Sequence, residues 1–264
     1  MPERASLGTV RFERKDRIAF VTMNRPKVMN AVNRLMNEEL WQVWREFESD
    51  PELDVAILTG EGEAFSAGAD LEDYIPGWID KKMHDVRRNT ATGLGGITRG
   101  LHRIYKPIIA AVNGWALAGG FELALACDIR IASTNARFGS FEVRRGFHHG
   151  DGGIVRLVAI LGLGRALELV LTGREVSAEE ALQMGLVSEV VPGAKLGSAA
   201  VAWAERLLQN DQTALRSAKE TILEVVGRSL DDALRLEAIY GYSSGEPDKI
   251  RERLDRFFDR GRGS

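Results

Sequence analysis

Lys106-Pro-Ile-Ile-Ala-Ala-Val-Asn-Gly-Trp-Ala-Leu-Ala-Gly-Gly-Phe-Glu122 reads as an apolar run, a turn and the start of a helix. Pro107 to Val112 has the form of a buried strand, closed by Asn113-Gly114. Ala118-Gly-Gly-Phe-Glu122 then makes a glycine-bearing turn. A turn that opens a helix exposes backbone N–H groups at the positive end of the helix dipole. Glycine lets that backbone approach a bound group closely. Glu122 adds a carboxylate to the same turn.

The pattern extends in both directions. Asp54–Gly60 and Ile129–Ser133 are short apolar runs of the same kind, with helical stretches between them. An order of β then α, repeated, favours an α/β fold with mainly parallel pairing. Upstream, 7–12 and 17–23 are expected to form a hairpin around Glu13–Asp16, which Asn24-Arg25-Pro26 ends. Apolar residues from Leu35 to Phe47 recur at helical spacing behind a candidate N-cap, Asn33. Asp73–Gly100, with Pro76-Gly77 and a charged stretch, is expected to be either a mobile loop with one helix that covers a site or a solvated excursion. Ser177-Ala-Glu-Glu180 opens a helix with a capping-box pattern. Further helices are expected near 196–209, 211–226, 229–242 and 247–260. A core over 1–195 and a helical region over 196–264 follow from that division. The last helix is highly charged, with an apolar stripe of Leu254, Phe257 and Phe258, and is expected to pack on the domain or on another subunit.

Composition narrows the function classes. With 264 residues and 44% hydrophobic content, the chain can bury a sizeable core. A net charge of −3 and the lack of a basic run argue against a general nucleic-acid binder. The single cysteine, Cys127, sits in an apolar run, so no internal disulfide or cysteine-based zinc site is expected. That usage fits a reducing, cytoplasmic setting. No apolar stretch is long enough for a membrane span, and the first residues do not read as a signal peptide.

Three glycine-bearing turns concentrate the chemistry: Ala64–Leu71, Asn113–Glu122 and Gly146–Gly153. Glu142, in Phe138-Gly-Ser-Phe-Glu142, stands twenty positions after Glu122. Two carboxylates at one site can give and take protons. Two N–H groups aimed at one point can hold a polarised carbonyl oxygen. Spacing alone leaves a catalytic site and ordinary glycines at strand ends both open.

The wording of these segments resembles the crotonase superfamily, the enoyl-CoA hydratase/isomerase group. The likeness rests on Asn24-Arg-Pro with Asn30-Ala31, Phe65-Ser-Ala-Gly-Ala-Asp70, Lys106–Gly114, Ala118–Glu122, Cys127-Asp128, Phe138-Gly139 and Leu171-Thr-Gly173, and it covers nearly the whole chain. The resemblance implies a spiral of β-β-α turns with a C-terminal helical trimerisation region. It implies an acyl-CoA substrate whose thioester carbonyl meets the N–H groups of Ala69 and Gly119. Glu122 and Glu142 would then hold the water that adds across an α,β double bond. Arg25, Lys27, Ala67, Asp70 and Leu71 would lie near the CoA nucleotide. Neither a metal nor a separate cofactor is expected, and the assembly implied is a homotrimer or a dimer of trimers.

Three departures keep other readings open. Phe141 stands where typical hydratases carry proline, and His149 replaces the proline of a Gly-x-x-Pro-Gly-x-Gly-Gly turn. Asp151 is an extra acid there, as in the β-diketone hydrolases of the superfamily. It reads as a third acid/base, as a reader of a polar substrate, or as an N-cap for a helix starting near Gly152. His148 and His149 titrate in the neutral range when unperturbed, and adjacent histidines point in different directions, so one of them faces the site at most. An isomerase needs only one carboxylate, and a C–C hydrolase would use Asp151. A non-catalytic acyl-CoA or RNA-binding relative is the alternative outside enzymes.

Overall fold

The computed structural model describes residues 3–6, 8–79, 82, 93–99 and 103–261. Its strands are β1 (Glu3–Ser6), β2 (Val10–Lys15), β3 (Ile18–Met23), β4 (Val55–Gly60), β5 (Ala64–Ser66), β6 (Ile108–Val112), β7 (Trp115–Leu117), β8 (Ile129–Ser133), β9 (Arg137–Gly139), β10 (Glu175–Ser177) and β11 (Glu189–Val191). They form two sheets, ordered β1-β2-β3-β4-β6-β8-β11 and β10-β9-β7-β5. Pairing is parallel from β3 to β11 in the first sheet and from β9 to β5 in the second. The successive pairs β4-β5, β6-β7 and β8-β9 each lay one strand in each sheet, which is the expected β-β-α spiral.

The helices are α1 (Arg34–Ser49), α2 (Pro76–Ile79), α3 (Gly119–Ala126), α4 (Gly153–Leu161), α5 (Leu163–Thr172), α6 (Ala178–Gln183), α7 (Leu196–Leu208), α8 (Gln212–Val225), α9 (Leu230–Ser243) and α10 (Pro247–Gly261). Asn33 caps α1 by accepting from the Met36 N–H at 2.9 Å. The apolar spacing then buries Met36, Leu40, Val43, Trp44 and Phe47 on one face. Trp44 donates its indole N–H to the Gly95 carbonyl at 2.8 Å, and Asn37 accepts from the Gly95 N–H at 2.6 Å. Segment 93–99 is thus pinned to α1. Of the segment 73–100, residues 80–81, 83–92 and 100, which hold most of its charged stretch, lie outside those described. So do His84 and His102, which lie in stretches without a motif and are read from the sequence as structural. Among the described residues no helix is long and apolar enough to cross a membrane.

The hairpin differs from expectation at its turn. Strand β2 runs on through Lys15, and Asp16 takes the turn at φ 53°. Burial ends at Phe12, but pairing with β3 continues, Arg14 opposite Ala19 and Lys15 opposite Ile18, so the polar residues there belong to the strand and not to the turn. Strand β1, polar and paired antiparallel to β2, had no apolar signal to betray it.

The chain divides into two compact units, Met1–Leu207 and Leu208–Ser264. The first holds both sheets and α1 to α7; the second holds α8 to α10. Helix α7 thus falls with the sheets, whereas the sequence places a boundary ahead of Leu196.

One buried polar residue braces the first glycine turn. Asn30 is fully buried at φ 54° and donates to the carbonyls of Glu61 (2.9 Å) and Ala64 (2.7 Å). It also accepts from the Arg25 N–H at 2.9 Å. Asn30→Ala loses these bonds and places alanine in the left-handed region. We expect a loss of about 2–4 kcal/mol in urea unfolding. A change within about 0.5 kcal/mol, the range of neutral surface substitutions, would show that the bonds brace nothing.

Candidate active site

The two glutamates meet because their strands end together. Leu117 pairs with Gly139 at the ends of the parallel strands β7 and β9. The Ala118 N–H donates to the Gly139 carbonyl at 2.8 Å, which extends the alignment by one residue. One chain then enters α3, with Glu122 in its first turn. The other enters a short 3-10 turn, Phe141–Arg145, carrying Glu142. Each glutamate is only 3% exposed. Ala118 stands at φ 49°, an unfavourable angle for a residue with a Cβ, held by the strand end on one side and the helix start on the other.

The third glycine turn closes over the pair. The N–H groups of Asp151 and Gly153 both donate to Glu122 Oε1, each at 2.8 Å. His149 is buried, with Nδ1 2.8 Å from Glu142 Oε1 and 3.4 Å from Glu122 Oε1. Burial pulls its imidazole down, but the carboxylates of Glu122 and Glu142 beside it outweigh that, and the pKa is pushed up to about 9. One ligand atom each from Glu122, Glu142 and His149 lies within 4.8 Å of the others, close enough for a cation to bridge. Glu122 Oε1 already accepts two N–H groups, whereas Glu142 and His149 face each other as an ion pair.

Two further backbone N–H groups belong to residues lining the same cleft. A Cβ built on Gly119 would lie 3.3 Å from the Ala69 nitrogen, and one on Gly68 would lie 2.7 Å from the Gly119 nitrogen. The Ala69 and Gly119 amides are therefore neighbours. Val32 brackets Ala69 through the Gly68 carbonyl and the Asp70 N–H, leaving the Ala69 N–H outside that bridge. Gly119 is the first residue of α3, where a helix leaves its N–H without an internal acceptor.

Ala69, Gly119, Glu122, Glu142, His149 and Asp151 all line one cleft of about 990 Å³. Of the residues linked with CoA, Ala67 and Leu71 line it; Arg25, Lys27 and Asp70 do not. Arg25 donates to Asp70 at 2.8 Å and to the Ala31 carbonyl at 2.5 Å. This ties down the loop that carries Ala69. Burial raises the Asp70 pKa, but the Arg25 bond and the N–H groups of Glu72 and Asp73 prevail and lower it. His148 also lines the cleft, exposed, with its Nδ1 2.7 Å from the His149 carbonyl.

Asp151 is not a helix N-cap; Gly152 precedes α4, and no side chain caps it. Asp151 Oδ1 instead accepts from the Leu94 N–H (2.8 Å) and the Thr98 hydroxyl (3.3 Å), and it forms an ion pair with Arg99, whose Nε lies 3.0 Å away and donates to the Gly150 carbonyl. Burial, then the charge of Glu122, raises its pKa. The residue joins segment 93–99 to the glutamates. Sequence reading passed over Arg34, Tyr74 and Arg99, which also line the cleft. Nothing in their local pattern distinguishes them from surface residues.

Fold and cleft together describe an α/β protein with a buried acid cluster beside paired backbone donors at strand ends. The chain belongs to the enoyl-CoA hydratase/isomerase family, whose model matches residues 13–263. It is 41% identical to a short-chain-enoyl-CoA hydratase of Clostridium acetobutylicum over 234 residues, covering 88% of this chain and 87% of that protein. It is similar to the crystal structure of an enoyl-CoA hydratase from Bacillus anthracis, with a TM-score of 0.84, 34% identity and 96% of each chain covered. An enoyl-CoA hydratase structure from Mycobacterium tuberculosis matches with a TM-score of 0.84 and 36% identity over 96% of each chain. The resemblance read from the motifs is thereby borne out.

Proposed function

We propose that the protein is an enoyl-CoA hydratase, adding water across the α,β double bond of an acyl-CoA. The observation that carries this reading is the meeting of Glu122 and Glu142 in one buried cleft beside the Ala69 and Gly119 amides. In this reading the two amides donate to the thioester oxygen, on which negative charge develops as the enolate forms. One carboxylate accepts a proton from water as the water oxygen bonds to the β-carbon. The pair delivers one proton to the α-carbon, so water adds with no net proton gained or lost.

CoA enters as part of the substrate, and neither a metal nor a separate cofactor takes part. Asp151 Oδ1, already held by two donors and the Arg99 ion pair, is poorly placed to act as the acid of a C–C hydrolase. We further propose a cytoplasmic homotrimer or dimer of trimers. Helices α8 to α10 expose Ile222, Leu230, Tyr242 and Phe257, apolar surface that self-association would cover.

The test is hydration of crotonyl-CoA, followed by loss of the conjugated thioester absorbance. Saturable turnover at a kcat of about 1 s⁻¹ or more is expected. Tight CoA binding without turnover would point instead to a non-catalytic relative.

A further inference from the structure

The hydration scheme leaves one buried group without a task. His149 is only 5% exposed and reaches both glutamates from the turn between Gly146 and Gly153. Its approach to Glu142 is close but not aligned as a hydrogen bond. Both Glu142 oxygens and both ring nitrogens are buried without an aligned protein partner. A buried carboxylate in that state keeps its charge only beside an opposite charge. Among the described residues, His149 is the one ion-pair partner of Glu142.

The seat for the ring is built into the turn. A Cβ on Gly153 would fall 2.6 Å from His149 Nδ1 and 3.0 Å from Glu122 Cγ. Only a residue without a side chain leaves room there for both groups. The same glycine donates its N–H to Glu122. One residue therefore fixes the first carboxylate and admits the imidazole that faces the second.

We propose that His149 is a positioning residue of the reaction: as an imidazolium it holds Glu142 ionised and oriented in the cleft. This rests on the hydratase reading. An imidazolium and two carboxylates carry the same net charge of −1 as two carboxylates sharing a proton. With the proton on His149, Glu142 stays free to accept one from water, and His149 keeps its own proton throughout. The elevated imidazole pKa, about 9, agrees with this charge state at neutral pH. The ionisable groups around the ring are Glu122 of α3, Glu142 of the 3-10 turn, and His148 and Asp151 of its own turn. Arg99 pairs with the Asp151 carboxylate, and Arg156 of α4, which feels the charge of Glu122, donates to the Asp151 carbonyl.

Two readouts on the full-length protein test this. The first is an NMR titration of the His149 imidazole, identified by its absence in His149→Gln. It is expected to titrate near 9 in the wild type and to shift down by about one unit or more in Glu142→Gln. The second is the pH profile for crotonyl-CoA hydration. Wild-type kcat/KM is expected to fall above about 9, where the imidazolium is lost. In His149→Gln that alkaline limb should disappear and kcat should drop about 10- to 100-fold, with KM within about threefold.

A His149 titration near 6.5, its ordinary value, overturns the proposal. So does a His149→Gln variant with wild-type kcat and an unchanged alkaline limb. If that variant does not fold, the shift in Glu142→Gln decides. The NMR readout needs no turnover. A raised titration without crotonyl-CoA hydration would therefore overturn the hydratase reading and leave the His149–Glu142 pairing supported.

Discussion

Glu142→Gln and Glu122→Gln should each lower kcat for crotonyl-CoA hydration by about 10²- to 10⁴-fold, the usual contribution of a positioned acid or base. Glutamine keeps the shape of each side chain and removes its proton chemistry. At position 122 the amide oxygen can still accept the N–H groups of Asp151 and Gly153, so the turn over the site should stay in place. The loss should therefore appear in kcat, with little change in KM or melting temperature. At position 142 the change also removes the counter-charge of His149, so some stability should go with the activity. The double variant should be little worse than either single one, because the residues act as a unit on one water. Normal turnover in both single variants would sink the two-carboxylate mechanism.

Gly119→Ala separates the amide pair from the fold. The added methyl would lie 2.4 Å from Leu94 Cδ2, the far end of a buried side chain that must shift to admit it. It would also lie 3.3 Å from the Ala69 nitrogen, where an incoming thioester oxygen has to sit. Backbone strain is absent, since Gly119 is an ordinary helical residue. We expect kcat to fall about 10²- to 10³-fold, the scale for losing one donor to a developing oxyanion. Unfolding stability should fall by about 1–3 kcal/mol, the usual cost of overpacking. Gly68→Ala is the contrast: its Cβ would meet two backbone atoms, Gly119 N at 2.7 Å and Leu117 O at 2.9 Å, at φ 92°. That variant should lose stability together with activity. Wild-type kcat in a folded Gly119→Ala protein would show that the thioester oxygen binds elsewhere.

Much of the fold was legible because its strands are continuous apolar runs. Val55–Gly60 and Ile108–Val112 are buried on both faces, so their sequences carry no polar alternation to confuse the reading. The caps at Asn33 and Ser177 were equally plain, since a short polar side chain before an apolar helix has one obvious use. Strand β1 escaped because an edge strand of polar residues looks like any solvated tail. Asp151 was legible as unusual but not in its use. Its carboxylate partners lie more than fifty residues upstream, beyond any local pattern.

The sequence alone determined the alternation of strands and helices, the family, and the candidate pair Glu122 and Glu142. These follow from hydrophobic periodicity and from residue types that few other turns require. Only the tertiary structure decided what those glutamates touch. Pairing of Leu117 with Gly139 brings two strand ends to one edge, and the close approach of Gly68 to Gly119 sets two amides side by side. The missing Cβ of Gly153 lets an imidazole stand against both acids. Each is a distance between residues far apart in the chain, and burial turns those distances into strong electrostatic coupling. A linear pattern names the groups; the charge each carries depends on what packs against it.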